Sequence, residues 1–265
     1  IGGSQGKGHE YLSVFQGLLE EGHSFRDAFY GLLGRKFPST FVGLQLPETF
    51  GQKALLIDVG DSTCCRLRET TRGKVLSVLS TIHNFAEDLL RKGLDLRNPP
   101  DPITDDWIRK VHEARKQDYL ARDEGSVIPL LARTFNEFYR EADPVRKREK
   151  FMSCYQDMGD VMTVSLSQPL DYVRSRIGNG RSFSVKPGDI FVLHTDGVNL
   201  SREHIRDILS HHVPVEAAKK MIEESTKYDD ATVIVVEVGE MPFGKKKKWP
   251  SMIRTSLLPH PRTPR

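Results

Sequence analysis

The chain has 265 residues, 38% of them hydrophobic and 28% charged, with a formal net charge of +3. That length buries about 70–75% of the unfolded surface, so folding needs neither disulfides nor a structural metal. No apolar run approaches the ~20 residues of a membrane span, and the lack of repeats together with the mixed pattern excludes collagen, coiled coil and fully disordered classes.

The charge is uneven. From Gly239 onward, Lys245, Lys246, Lys247, Lys248, Arg254, Arg262 and Arg265 face Glu240 alone, which makes the tail +6 and leaves the body about −3. An acidic body argues against nucleic-acid binding. Three cysteines exclude a disulfide framework. Cys64 and Cys65 are adjacent, so on a strand they point to opposite faces and cannot share a metal. They read as buried thiols of a reducing, cytoplasmic compartment.

In chain order, residues 1–8 are a glycine-rich loop. A nucleotide phosphate loop fits it poorly, because Gly8 follows Lys7 where Ser or Thr is needed and no strand precedes it. The spacing predicts a helix over 9–21, with Tyr11, Leu12, Phe15, Leu18 and Leu19 on one face. Ser24 with Asp27 signals a capped second helix, with Gly34 as its C-cap. Residues 40–46, 53–59, 62–68 and 74–79 read as the strands of an antiparallel meander. A helix over 83–92 follows, with His83 as a capping or packing residue. Asn98-Pro99-Pro100-Asp101-Pro102 breaks the chain, and 104–155 is charged and helical, anchored by Trp107, Ile108, Val111, Leu130, Leu131, Phe135 and Phe138. Strands are expected at 161–166, 189–194 and 231–238, and helices at 202–210 and 215–225. Residues 239–265 read as a basic disordered tail able to contact an acidic partner.

Three aspartates stand beside strands. Asp196 ends the apolar run Phe191-Val192-Leu193-His194-Thr195. Asp229 precedes the last strand, next to Asp230. Asp61 lies between two strands. Asp196-Gly197 and Gly60-Asp61 are also ordinary turn dipeptides. Carboxylates so placed suit a hard cation such as Mg²⁺ or Mn²⁺, and His/Cys spacing for zinc is absent.

Taken in order, these segments resemble the metal-dependent protein phosphatase family (PPM, type 2C). Pro38–Leu44, Leu55-Leu56-Ile57-Asp58-Val59-Gly60-Asp61-Ser62, Leu79-Ser80-Thr81-Ile82-His83-Asn84, Arg174-Ser175-Arg176-Ile177-Gly178, Pro187–Val198 and Asp229–Val236 each resemble one of its motifs. The resemblance covers roughly 1–94 and 160–238, and the last two segments are its specific part. It implies an α+β fold: a PPM-type α-β-β-α sandwich, two antiparallel sheets flanked by helices, over residues 1–238 with a helical insertion at about 95–160. It implies hydrolysis of phosphoserine and phosphothreonine in phosphoprotein substrates by a metal-activated water, with two or three Mg²⁺ or Mn²⁺ ions. It places Asp196 and Asp229 on the first metal, Asp61 near a third, and Asp230 behind them. It also implies departures. Ile1-Gly2-Gly3 resembles the end of the family's first "D-G-x-G-G" motif, whose Asp-Gly would lie before residue 1, so this chain alone is expected to be inactive. Ile82 replaces an Asp, and Thr63 replaces an Arg. Two alternatives stand beside the enzyme: a pseudophosphatase that binds a phosphoprotein or regulator, and a small-molecule phosphohydrolase.

Overall fold

The structure is a computed structural model, and it describes residues 8–34, 39–47, 52–95, 98–119, 140–159, 163–225, 231–239 and 255–259. The chain divides into two compact units, one of residues 1–82 and 164–265, the other of 83–163.

The first unit opens with α1 (Gly8–Glu20) and α2 (Phe25–Tyr30). Ser24 caps α2 as its sequence suggests, its hydroxyl accepting from Asp27 N. The helix ends at Gly31 rather than Gly34, which lies in the following turn with φ +75°. β1 (Phe41–Gln45), β2 (Lys53–Val59), β3 (Thr63–Thr70) and β4 (Gly73–Val78) come next. After the second unit come α6 (Leu170–Ile177), β5 (Arg181–Ser184), β6 (Ile190–His194), α7 (Arg202–His211), α8 (Pro214–Glu223), β7 (Thr232–Glu237) and β8 (Thr255–Pro259).

The first four strands are not one meander. β1-β2-β5 form one antiparallel sheet and β4-β3-β6-β7-β8 the other. The chain crosses between sheets at Gly60-Asp61-Ser62, a tight connection whose Gly60 sits at φ +89°. Period-two alternation then sorts the side chains into three layers. Ala54 and Leu56 of β2, Cys64 of β3, Phe191 and Leu193 of β6 and Val236 of β7 pack between the sheets. Ile57 and Val59 face the other way, onto Tyr11, Phe15, Phe29 and Val173 of α1, α2 and α6. Cys65, Leu67, Val192, Val233 and Val235 face Ile205, Ile208, Ala218 and Met221 of α7 and α8. This is the α-β-β-α sandwich that the resemblance implies.

The adjacent cysteines do point to opposite faces: Cys64 into the inter-sheet core and Cys65 toward the helices. Burial pushes both thiols up, Cys65 to about 11.

Two expectations fail on backbone grounds. Residues 163–166 form no strand. Of the expected strand 161–166, the first two residues lie outside the described ones; Thr163, Val164, Ser165 and Leu166 are all buried, and Leu166 N donates to Ser39 O in an isolated contact, not a ladder. The tail is not wholly disordered: 255–259 pairs antiparallel with β7, Thr232 opposite Pro259 and Val236 opposite Thr255. The short run Ser256-Leu257-Leu258 supplies a strand to an edge whose unpaired backbone groups otherwise face solvent.

In the second unit, α3 (Phe85–Arg91) is capped by Asn84, whose side chain accepts from Glu87 N. Capping therefore falls to Asn84 and packing to His83, which is buried. α4 (Asp105–Tyr119) and α5 (Pro144–Gly159) form the expected charged helices. Ile108, Val111 and Phe151 are buried, and Trp107 meets Phe151 edge-on at 4.9 Å. Leu130, Leu131, Phe135 and Phe138 lie outside the described residues.

Phe191→Ala is expected to cost about 3–5 kcal/mol, because it opens a cavity between the sheets, and urea denaturation reads it directly. Cys64 and Cys65 are expected to resist a disulfide-exchange thiol reagent at pH 8 and to react only in denaturant, a difference that counting labelled thiols measures.

Candidate functional site

The site is built by strand register. In the β3–β6 ladder Thr63 opposes His194 and Cys64 opposes Leu193. Asp61 lies two residues before the first residue of that ladder and Asp196 two residues after its last, so both stand at the same end of the sheet. In the β6–β7 ladder His194 opposes Val233, so the start of β7 arrives at the same sheet end. Thr195 fixes the junction: its amide donates to Thr232 O at 3.1 Å and its hydroxyl accepts from Thr232 N at 3.0 Å. From the facing sheet, Thr40 meets Ser62 hydroxyl to hydroxyl at 2.8 Å, both buried. One end of the sandwich thus collects Asp61, Ser62, Asp196 and Thr40.

The two carboxylates differ. Asp196 is exposed beyond the last residue of β6, while Asp61 is half-buried. Gly60 supplies the positive φ that the connection before Asp61 requires. Asp229 and Asp230 lie in 226–230, outside the described residues. Beside Asp196, burial lowers the pKa of His194, whose Nδ1 lies 2.9 Å from Thr195 O.

Asp61 and Asp196 offer the oxygen donors that Mg²⁺ and Mn²⁺ take. They fit such an ion in kind but not in number: among the described residues no group of three or more His, Cys, Asp or Glu assembles to hold a metal.

Sequence reasoning passed over two further acidic groups. Asp189 of the Pro-Gly-Asp segment is buried and serves the fold. It accepts from Arg68 Nε and Nη2, both at 2.6 Å, and from Lys186 N at 2.9 Å. That bidentate pairing raises the pKa of Arg68. Asp58, also buried, lies on the same face of β2 as Ala54 and Leu56. Its Oδ2 accepts from Thr81 N at 2.6 Å and its Oδ1 from Arg181 Nη2 at 3.3 Å. A carboxylate inside the apolar run Leu55-Leu56-Ile57-Asp58-Val59 signals a cationic partner, but nothing local says which arginine supplies it.

No family model matches this chain, and no curated protein does. Among solved structures it is similar to the Mycobacterium tuberculosis serine/threonine phosphatase PstP/Ppp, at 14% identity and a TM-score of 0.52, over 90% of this chain and 85% of that one. It is equally similar to the catalytic domain of serine/threonine protein phosphatase PstP in complex with two manganese ions, at 14% identity and a TM-score of 0.50, over 90% and 84%. The chain has the PPM-type phosphatase fold. The likeness is one of fold, and the chemistry rests on the residues just described. No described helix is long and apolar enough to cross a membrane.

Ser62→Ala is expected to leave the buried Thr40 hydroxyl short of its partner and to cost about 1–3 kcal/mol. Thr40→Val made together with Ser62→Ala should recover part of that loss, and chemical denaturation of the three variants forms the test.

Proposed function

We propose that the protein is a metal-dependent protein phosphatase that hydrolyses phosphoserine and phosphothreonine. The observation that supports the proposal is the register of β3 and β6, whose ladder ends next to Asp61 and Asp196 at one end of a phosphatase-fold sandwich. Asp196 and Asp229 would hold the first Mg²⁺ or Mn²⁺, and Asp61 a further one. When bound, such ions supply a water of lowered pKa and offset charge on the phosphoryl oxygens. The chain's own work is to hold the acceptor carboxylates still. Thr195, next to Asp196, is bonded to Thr232 of β7, and Ser62, next to Asp61, is bonded to Thr40. The substrate is a phosphoprotein, and the PstP complex with two manganese ions supports the choice of metal.

The test is hydrolysis of p-nitrophenyl phosphate and a phosphothreonine peptide by the full-length protein, with and without Mn²⁺. Asp196→Asn is expected to lower metal-dependent turnover by more than about 100-fold, beyond the loss typical of a residue merely supporting a metal ligand. Because Asp196 is exposed, its melting temperature should stay close to that of the unsubstituted protein. Metal-independent turnover, or turnover indifferent to Asp196→Asn, would sink the reading.

A further inference from the structure

Arg181 opens β5 opposite Leu56 of β2. The close approach is set by Gly180, at φ +79°, where a Cβ would stand 2.7 Å from Leu56 O. Alternation puts Arg181 on the same face as Phe183, which meets Phe191 of the other sheet at 5.9 Å. The arginine therefore faces the inter-sheet side, at the edge of the core. Its Nη2 donates to Asp58 Oδ1 at 3.3 Å and to Thr81 Oγ1 at 2.7 Å. Among the described residues the guanidinium makes no other hydrogen bond, and the side chain is 48% exposed while Asp58 is 7% exposed. One nitrogen is thus anchored, and the Nε and Nη1 donors remain for a ligand. Thr81 Oγ1 accepts from Arg181, which leaves its own O–H to donate outward. Thr81 lies at the candidate site's end of the sandwich, because Leu79 N and Ser80 N both donate to Cys64 O, three residues beyond Asp61.

Two other cationic groups show what this arrangement is not. Arg68 spends two nitrogens on Asp189 and a further bond on Ser184 O, and its side chain is only 19% exposed. Arg174 lies over the Tyr30 ring at 5.1 Å, on an exposed helix surface. Arg181 alone of these three combines a fixed orientation with open donors. Its planar fork and the adjacent hydroxyl match the oxygens of a phosphate monoester, which offers several acceptors close together.

We propose that Arg181 and Thr81 form a phosphate-monoester contact at this end of the sandwich, with Asp58 as the positioning residue that orients the guanidinium. The proposal deepens the phosphatase reading and rests on it for the ligand class.

The experiment is calorimetric titration of the full-length protein with inorganic phosphate in the presence of a chelator, so that the readout needs no turnover. Arg181→Met is expected to weaken phosphate binding about ten-fold or more, the loss of charge-assisted hydrogen bonds. Arg174→Met, which removes the same charge elsewhere, should leave binding unchanged. Asp58→Asn should weaken binding in the parent but add nothing to Arg181→Met, a coupling that a purely structural Asp58 would not produce. The proposal is overturned if Arg181→Met binds phosphate like the unsubstituted protein, or if the unsubstituted protein shows no saturable binding. Should Arg181→Met fail to fold, Arg181→Lys decides. Weaker phosphate binding at a native melting temperature supports the contact, and unchanged affinity overturns it. Phosphate binding that depends on Arg181 in a protein without turnover would defeat the hydrolase and leave this contact standing.

Discussion

β6 is hydrogen-bonded on both sides, to β3 and to β7, and its register with each decides almost everything else in the first unit. A slip of one residue would exchange the two faces of the strand. Phe191 and Leu193 would leave the inter-sheet core, and Val192 would leave the helices. The same slip would shift Asp196 relative to the end of β3 next to Asp61. The apolar pattern that builds the core therefore also sets the carboxylates. Fully buried side chains such as Phe191 and Val192, each contributing on the order of 1.5–3 kcal/mol, hold the register far more firmly than any surface charge could.

Two buried aspartates show how environment divides a single residue type between structure and chemistry. Asp189 is closed off: a bidentate arginine and a backbone amide use both its oxygens, and the arginine itself is mostly covered. Asp58 meets an amide with one oxygen and a half-exposed arginine with the other. A buried carboxylate costs desolvation energy in either place. At Asp189 that cost is offset by a complete local network that ties β3 to the loop before β6. At Asp58 the network stops with guanidinium donors still open to solvent, which a stabilising role does not require.

Much of this was legible in the sequence. Elements with strong periodicity, such as α1, β2, β6, α8 and β7, fall within a residue or two of their expected limits, because burial alone dictates their pattern. The Ser24 cap was legible for the same local reason. The sheet order was not. Four successive strands look like a meander, and only tertiary packing shows that the chain changes sheets at Gly60-Asp61-Ser62. β5 was passed over because Arg181–Ser184 carries little apolar signal, and β8 because a proline- and lysine-rich tail outweighed its short apolar run. At the site, strand ends exposed Asp61 and Asp196, since a charge that closes an apolar run is conspicuous. The Asp58–Thr81–Arg181 group was hidden, because its members are separated by 23 and 123 positions and meet only through the fold.

The fold and the candidate chemistry rest on different residues. The three cores are apolar, and the ionic brace at Arg68–Asp189 lies at the end of the sheet away from Asp61 and Asp196. A chain could keep every one of those contacts with serine or alanine at 61 and 196 and still superpose on a phosphatase. The sandwich is therefore weak evidence for catalysis on its own. What carries weight is the chemistry of the residues at the strand ends, where carboxylates stand at both positions. Asp61 lies in the β2–β3 turn next to Gly60 at φ +89°, and Asp196 lies beyond the last paired residue of β6. The proposed phosphatase chemistry therefore rests on the oxygen donors that these two strand-end carboxylates offer a hard cation, and not on the sandwich that carries them.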